Sequence, residues 1–539
     1  MRVLLVEPEY RRLSKKKVDG DGNATDTPIK KKKIDDESLW YPPIGLMKLS
    51  TFHKRRGDQV QFVKGCDNSI STEQLEIFSP NVIWDRVYIS TLFTYDWHKT
   101  VKTINHYKNA VGGSINNIYV GGIMASIMPN EIYEETGIYP VVGILHSPEQ
   151  IGLEGQENID MLPPDYDLLS KEIYAINDTY YAYTTRGCTQ RCAWCGVPDI
   201  EPKYCDYIDI KQVISELRDT YGDKPRLKLM DNNILASPHL DRIVDDLCEL
   251  NYGMNQKPLE RPRRLRVIDF NQGLDATHVN KKTIAQLSRL NIRPVRIAFD
   301  RIQETKVYKR SITLAHKAGF REFSNYMLYG YKDTPKDLYQ RLMVNIDFNE
   351  KWSKRETEKK RGTIYSYPMR YSPIKDAGIS NSNRRRDFEP SSDLEISDFV
   401  DDAVWTKRFI RNMDIIKGAA HGAIPPTPGL ARRALGETYW EFIMNLYTPE
   451  EILRNRNDNE IRVYRNDNER KPGSGRLEAF REFLGNLMER DKEKFKEFHQ
   501  AVSSNSLDSI RALLKTCHDG EMEGWLKVYL KSNIGMETI

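Results

Sequence analysis

The segment Cys188-Thr-Gln-Arg-Cys192-Ala-Trp-Cys195 spaces three thiols as C-x3-C-x2-C, with an aromatic residue before the third. Cysteine thiolates in short loops of this kind hold iron–sulfur clusters. Three ligands to a four-iron cluster leave one iron open to bind something else. Zinc is the competing reading, but a zinc site normally shows paired C-x2-C or Cys/His ligands. The chain has no second C-x2-C, and the nearest histidines, His146 and His239, are remote in sequence. The other cysteines, Cys66, Cys205, Cys248 and Cys517, are scattered singly. That scatter predicts no disulfide framework, no auxiliary cluster and a reducing cytoplasm. Cys205, ten residues past Cys195, reads as an ordinary thiol.

The cysteine loop needs rigid elements behind it. Tyr180 to Thr185 reads as the strand that delivers it, and the alternation then continues with strands at 226–230, 265–270, 294–299, 322–328 and 363–367. Between them, helix 209–221 aligns Ile210, Val213, Ile214 and Leu217, and helix 239–250 aligns Leu240, Ile243, Val244 and Leu247. These are core-facing stripes. Six β/α units over 176–375 predict a partial, TIM-like (β/α)6 barrel, whose chemistry gathers at the carboxyl ends of its strands. Before it, strands Val3–Val6, 59–63, 87–90 and 117–122 alternate with helical patterns, opening with the helix at Ile44. They predict a doubly wound parallel sheet over 1–150. Residues 11–38 read as a polar, mobile insertion and 151–175 as a linker. Beyond 390 the pattern turns helical, at 397–416, 431–446, 476–503, 507–516 and 524–530, forming a region of unassigned role over 390–539.

The cysteine spacing and the aromatic before Cys195 resemble the radical S-adenosylmethionine superfamily. The resemblance implies a [4Fe-4S] cluster on Cys188, Cys192 and Cys195, whose open iron chelates the amino and carboxylate groups of the cofactor's methionine moiety. Asp231 and Asn232, in Met230-Asp-Asn-Asn233, stand where members of that family receive the methionine amino group, although the usual glycine-glycine-glutamate form is absent. Asn271, Gln272 and Asp275 end the next strand and offer hydrogen bonds to ribose hydroxyls. Phe299 and Asp300 end the fourth strand, suited to adenine. Gly330, after the fifth, permits close backbone approach, and Arg370, after the sixth, supplies a fixed cation.

Tyr41-Pro-Pro-Ile-Gly-Leu, Ser90-Thr-Leu92 and Val120-Gly121-Gly122 resemble the cobalamin-binding domain that precedes many such cores. That resemblance implies cofactor contact at Ser90, Gly121 and Gly122. The D-x-H-x-x-G element that replaces the lower cobalt ligand is missing. Asp96-Trp-His98 imitates part of it, but His98 reads as a helix residue without a cobalt role. Many relatives keep this domain without the histidine and some have lost cobalamin, so that cofactor stays open.

The implied activity is one-electron reductive cleavage of S-adenosylmethionine, giving a 5′-deoxyadenosyl radical that acts on a substrate, with flavodoxin or ferredoxin as electron donor. With cobalamin, the expected outcome is methyl transfer. The substrate is not legible. The 539 residues, enough for about two to four domains, carry 29% charged and 39% hydrophobic residues and a net charge of only +4. No polyanion signature results. Basic runs at 15–17, 30–33, 261–266, 359–361 and 384–386 read as solvated loops, and acidic 393–402 lies near the last. A nucleic-acid groove would draw on Arg384 to Arg386, Arg432, Arg433, Tyr439 and Trp440. A small molecule or peptide fits the balanced charge better. An RNA-modifying enzyme without cobalamin, or a non-enzymatic iron–sulfur structural or redox-sensing protein, are the alternatives. No run approaches the roughly 18 apolar residues of a membrane span, so no membrane association is expected.

Overall fold

The computed structural model describes residues 1–9, 39–67, 84–111, 114–259, 264–355, 357, 360–373, 400–420, 422–458 and 475–532. The insertion expected at 11–38, the basic runs at 15–17, 30–33 and 384–386, and the acidic residues at 393–399 lie outside them. The fold is mixed α/β, with parallel sheets throughout its regular strands, and divides into two compact units. No helix among the described residues is long and apolar enough to cross a membrane.

The first unit, essentially Met1–Gln272, contains two sheets. Strands β1 (Arg2–Glu7), β2 (Gln59–Lys64), β3 (Arg86–Thr91) and β4 (Ile118–Gly122) pair in the order β2-β1-β3-β4, all parallel. Because side chains alternate along a strand, Val3 and Leu5 face one layer while Leu4 and Val6 face the other. On the first face they pack against Leu46, Leu49 and Phe52 of helix Ile44–Arg55 and against Ile151, Ile159 and Leu162. On the second they meet Trp97, Val101 and Ile104 of helix Trp97–Tyr107, whose i, i+4, i+7 spacing puts them on one stripe. A sheet covered on both faces explains why β1 and β3 are almost wholly buried.

The second sheet of this unit joins β5 (Thr179–Ala182), β6 (Arg226–Leu229) and β7 (Val267–Phe270) in that order, with Thr179 opposite Arg226 and Arg226 opposite Val267. Helix Ile210–Tyr221 starts at Asp209, whose side chain accepts from Lys211 N at 3.0 Å, and buries Ile210, Ile214 and Leu217. The helix expected over 239–250 is α-helical only over Leu240–Leu247. It then widens into a π-turn, Cys248–Tyr252, that closes with Asn251 in the left-handed region. Residues 151–175 carry short 3-10 turns capped by Asn158 and Asp165, and they bury Tyr166, Leu169 and Tyr174.

In the second unit, β8 (Val295–Arg296), β9 (Glu322–Tyr329) and β10 (Thr363–Arg370) form a parallel sheet with β9 central. The strand expected at 294–299 is therefore shorter than its apolar run, and the last strand is longer. Helices follow from Lys407. The helix expected over 431–446 is two, Pro428–Leu435 and Tyr439–Tyr447, parted at Gly436 with φ +118°. The one expected over 476–503 is also two, Arg476–Arg490 and Lys492–Ser503, because Asp491 stops the first and caps the second through Lys494 N. Phe409, Met413, Tyr447, Phe480, Phe498 and Tyr529 form their shared core.

Candidate metal centre and adjoining cleft

Two sets of contacts and one glycine pin the cysteine loop where it leaves β5. Asp231, two residues beyond the end of β6, is 3% exposed. Its Oδ1 accepts from the main-chain N–H and hydroxyl of both Thr184 and Thr185. Burial disfavours the Asp231 charge and raises its pKa, against the pull of these four donors. Arg186 and Cys205 then exchange reciprocal main-chain hydrogen bonds of 2.9 Å, so the loop closes on itself at its base. Gly187 follows at φ +76°, and a Cβ there would stand 2.7 Å from Lys203 O. Only glycine suits both conditions. Cys205 is thus the partner strand of the loop's entry.

Cys188, Cys192 and Cys195 are half-buried and free of disulfides. The turn between the last two is closed by Cys195 N donating to Cys192 O at 3.0 Å. Gln190 N and Asn233 Nδ2 approach Cys188 Sγ at 3.3 and 3.5 Å, and Val197 N approaches Cys195 Sγ at 3.5 Å. Among the described residues, no three His, Cys, Asp or Glu side chains are grouped to hold a single metal ion. A cluster makes a different demand, because each thiolate meets its own iron. Three cysteines outside any disulfide on one closed loop, with N–H groups aimed at the sulfurs of Cys188 and Cys195, are a donor set that fits a cluster.

Beneath the loop is a buried ionic network that local sequence gives no sign of. Arg186 bonds Asp160 through Nε at 2.9 Å and Glu201 through Nη1 at 2.7 Å, with its guanidinium 3.4 Å above the Tyr183 ring. Lys48 pairs with Asp160 at 2.9 Å. Glu201 also receives Gly187 N and, at 2.8 Å, Asn232 Nδ2. Burial lowers the Lys48 pKa, with Asp160 pulling the other way. Burial also opposes the Asp160 charge, but Lys48 and Arg186 outweigh it and hold that carboxyl below its usual range. Two cations and two carboxylates meet here, so the network is neutral.

The network forms one wall of a largely apolar cleft of about 570 Å³, a size suited to a small-molecule site. Ser90, Gly121 and Gly122 reach it from the carboxyl ends of β3 and β4, and Asn232 and Gln272 from the segments after β6 and β7. Arg186 and Val197 line it on either side of the three cysteines. Gly122 has φ +101°, and a Cβ there would collide with the Thr91 carbonyl. Among the described residues no histidine lines the cleft; His98 is exposed on helix Trp97–Tyr107.

The structure therefore gathers Ser90, Gly121, Gly122, Asn232 and Gln272 about one space. Asn271 is 8% exposed and accepts from Tyr41 at 2.8 Å, while Lys228 donates to the Tyr41 hydroxyl at the same distance. In the second unit, Asp275 caps the turn Ala276–His278 through Thr277. Phe299 is buried and stacked on Tyr308 at 4.2 Å. Asp300 accepts from Leu328 N at 2.9 Å, and burial raises its pKa. Gly330 turns at φ +78° and donates to Asp333, and Arg370 is exposed at the end of β10. The wholly buried Arg341 ties these strand ends together through the carbonyls of Phe299, Asp300 and Leu328. Arg432, a candidate for a nucleic-acid groove, is engaged by Asp347 and Glu350.

No family model matches this chain, and no curated protein does. Among solved structures it aligns with the apo, selenomethionine-labelled form of OxsB, a cobalamin-dependent S-adenosylmethionine radical enzyme. That alignment has 13% identity and a TM-score of 0.39, over 64% of this chain and 51% of the other. The chain thus spans about half the length of that enzyme. OxsB with aqua-cobalamin and S-adenosylmethionine bound aligns at 13% identity and a TM-score of 0.44, over 99% of this chain and 71% of the other.

Proposed function

We propose that this protein is a radical S-adenosylmethionine enzyme, with a [4Fe-4S] cluster on Cys188, Cys192 and Cys195. The observation that carries the reading is the cysteine loop, with three cysteines in no disulfide, its base closed by Arg186 and Cys205, and its flanks on an apolar cleft. Cys188, Cys192 and Cys195 would hold a cluster that supplies one electron to the sulfonium of S-adenosylmethionine, breaking its bond to the 5′ carbon to give methionine and a 5′-deoxyadenosyl radical. The chain's own part is to hold the loop, shape the cleft and exclude water from it. Asn232 and Gln272 are the proposed cofactor contacts within the cleft. In the same reading Asn271, Asp275, Phe299, Asp300, Gly330 and Arg370 are each proposed as cofactor contacts.

Cobalamin is a second proposed occupant, supported by Ser90, Gly121 and Gly122 lining the same cleft as Asn232. Methyl transfer to a small molecule or peptide is the corresponding outcome. The test is anaerobic reconstitution with iron and sulfide, reduction with dithionite and addition of S-adenosylmethionine, with and without cobalamin. Release of 5′-deoxyadenosine that disappears in Cys192→Ala supports the proposal. An intact four-iron cluster that releases neither 5′-deoxyadenosine nor methionine overturns it in favour of a structural or sensing role.

A further inference from the structure

Each of the three residues that follow Met230 grips the cysteine loop at a different height. Asp231 holds Thr184 and Thr185, Asn232 holds Glu201 and through it Gly187 N, and Asn233 reaches Cys188 itself. Asn233 is 2% exposed, and its position is fixed from the backbone side. Its carbonyl accepts from the Tyr204 hydroxyl at 2.9 Å and from Ala236 N at 3.3 Å in the turn Ile234–Ala236. Its buried side chain brings Nδ2 to Cys188 Sγ at 3.5 Å, and an amide dipole shielded from water acts strongly.

We infer that Asn233 is a positioning residue that sets the reduction potential of the cluster through its N–H···S contact with Cys188. The inference rests on the cluster assignment proposed above. Reduction adds one electron, and the added negative charge spreads onto the cluster sulfurs and their thiolate ligands. An amide N–H pointing at Cys188 Sγ stabilises that charge, so it favours the reduced state and raises the potential. The Gln190 N–H does the same from the main chain, but it is fixed by the loop and common to any side chain there. Asn233 is the side-chain donor to this sulfur among the described residues.

The experiment is an EPR-monitored redox titration of the anaerobically reconstituted full-length chain, with iron counted in each sample. Asn233→Leu keeps the side chain's size and removes the donor, and Asn233→Asp replaces the donor with an acceptor. The expected result is full iron content with a lower midpoint potential in Asn233→Leu and a lower one still in Asn233→Asp. A fully loaded Asn233→Leu with the wild-type midpoint overturns the inference. Should both variants fail to load, pulsed EPR of the reduced wild-type protein, labelled with side-chain-15N asparagine, decides. A hyperfine coupling to an asparagine amide nitrogen supports the role, and none overturns it. A wild-type protein that holds no four-iron cluster, or whose cluster survives Cys192→Ala unchanged, removes the cluster assignment and this inference together.

Discussion

Asp231 Oδ1 accepts from both the main-chain N–H and the hydroxyl of Thr184, at 2.8 and 2.7 Å, and it repeats the pair with Thr185. One oxygen therefore fixes the two residues that turn the chain out of β5. The carboxylate acts here as a clamp on the loop's root. Asp231→Ala leaves those donors buried without an acceptor, with an expected cost of about 3 kcal/mol. Asp231→Asn keeps an acceptor oxygen and should retain both fold and iron loading. Urea denaturation and iron stoichiometry of the two variants check this, and an unchanged midpoint in Asp231→Ala refutes the clamp.

Glu201 stands at the other end of the same loop. Glu201→Ala strips Arg186 of a partner at 2.7 Å and frees Gly187 N and Asn232. Breaking a buried pair from one side costs about 3 kcal/mol or more. The expected result is a lower unfolding midpoint together with less iron bound per chain. Glu201→Gln, which keeps an acceptor for Gly187, should lose less of both. Equal losses in the two variants would count against this account.

Gly187→Ala places a Cβ 2.7 Å from Lys203 O at a φ of +76°. Backbone strain of this kind costs roughly 1–3 kcal/mol before any clash is relieved. The variant should therefore unfold earlier than wild type and take up iron poorly, whereas Gly222→Ala, also at positive φ but with open space around it, should load normally. Parallel iron assays after identical reconstitution make the comparison.

His499, in the second unit, supplies a pH dependence of its own. Its Nδ1 lies 2.6 Å from the Tyr447 hydroxyl, and burial pushes its pKa from 6.5 down to about 4. The unfolded chain takes up this proton near 6.5 while the folded chain refuses it until about 4. Stability is thus fully present above 6.5 and falls as the pH drops from 6.5 to 4, by up to about 3 kcal/mol. His499→Gln should flatten that portion of the stability profile. A wild-type-minus-variant difference that stays constant across those pH values would show that His499 does not titrate this way.

What could be read in advance was local. The C-x3-C-x2-C spacing, the apolar stripes of helix Ile210–Tyr221 and the alternation in β1 are written within a dozen residues each. Gly436 and Asp491 were also visible as a glycine and a cap residue, but the helical patterns on either side ran in phase and hid the breaks. Lys48, Asp160, Arg186 and Glu201 left no such trace. They come from separate segments, and each alone resembles an ordinary surface charge. Asn233 carries no sequence signal that sets it apart from Asp231 and Asn232; the fold brings its amide to Cys188, just before the turn Ile234–Ala236.

The reciprocal pair between Arg186 and Cys205 also bears on how such a centre is filled. Bringing the ends of a flexible loop together carries an entropic cost that grows with its length. Here two main-chain hydrogen bonds between Arg186 and Cys205 offset part of that cost. In small metal-dependent domains, by contrast, the ion itself must organise the chain, and removing it unravels the fold. This loop is built more like a socket. In the proposed reading, the chain's own hydrogen bonds hold the root of the loop on which a cluster would be built.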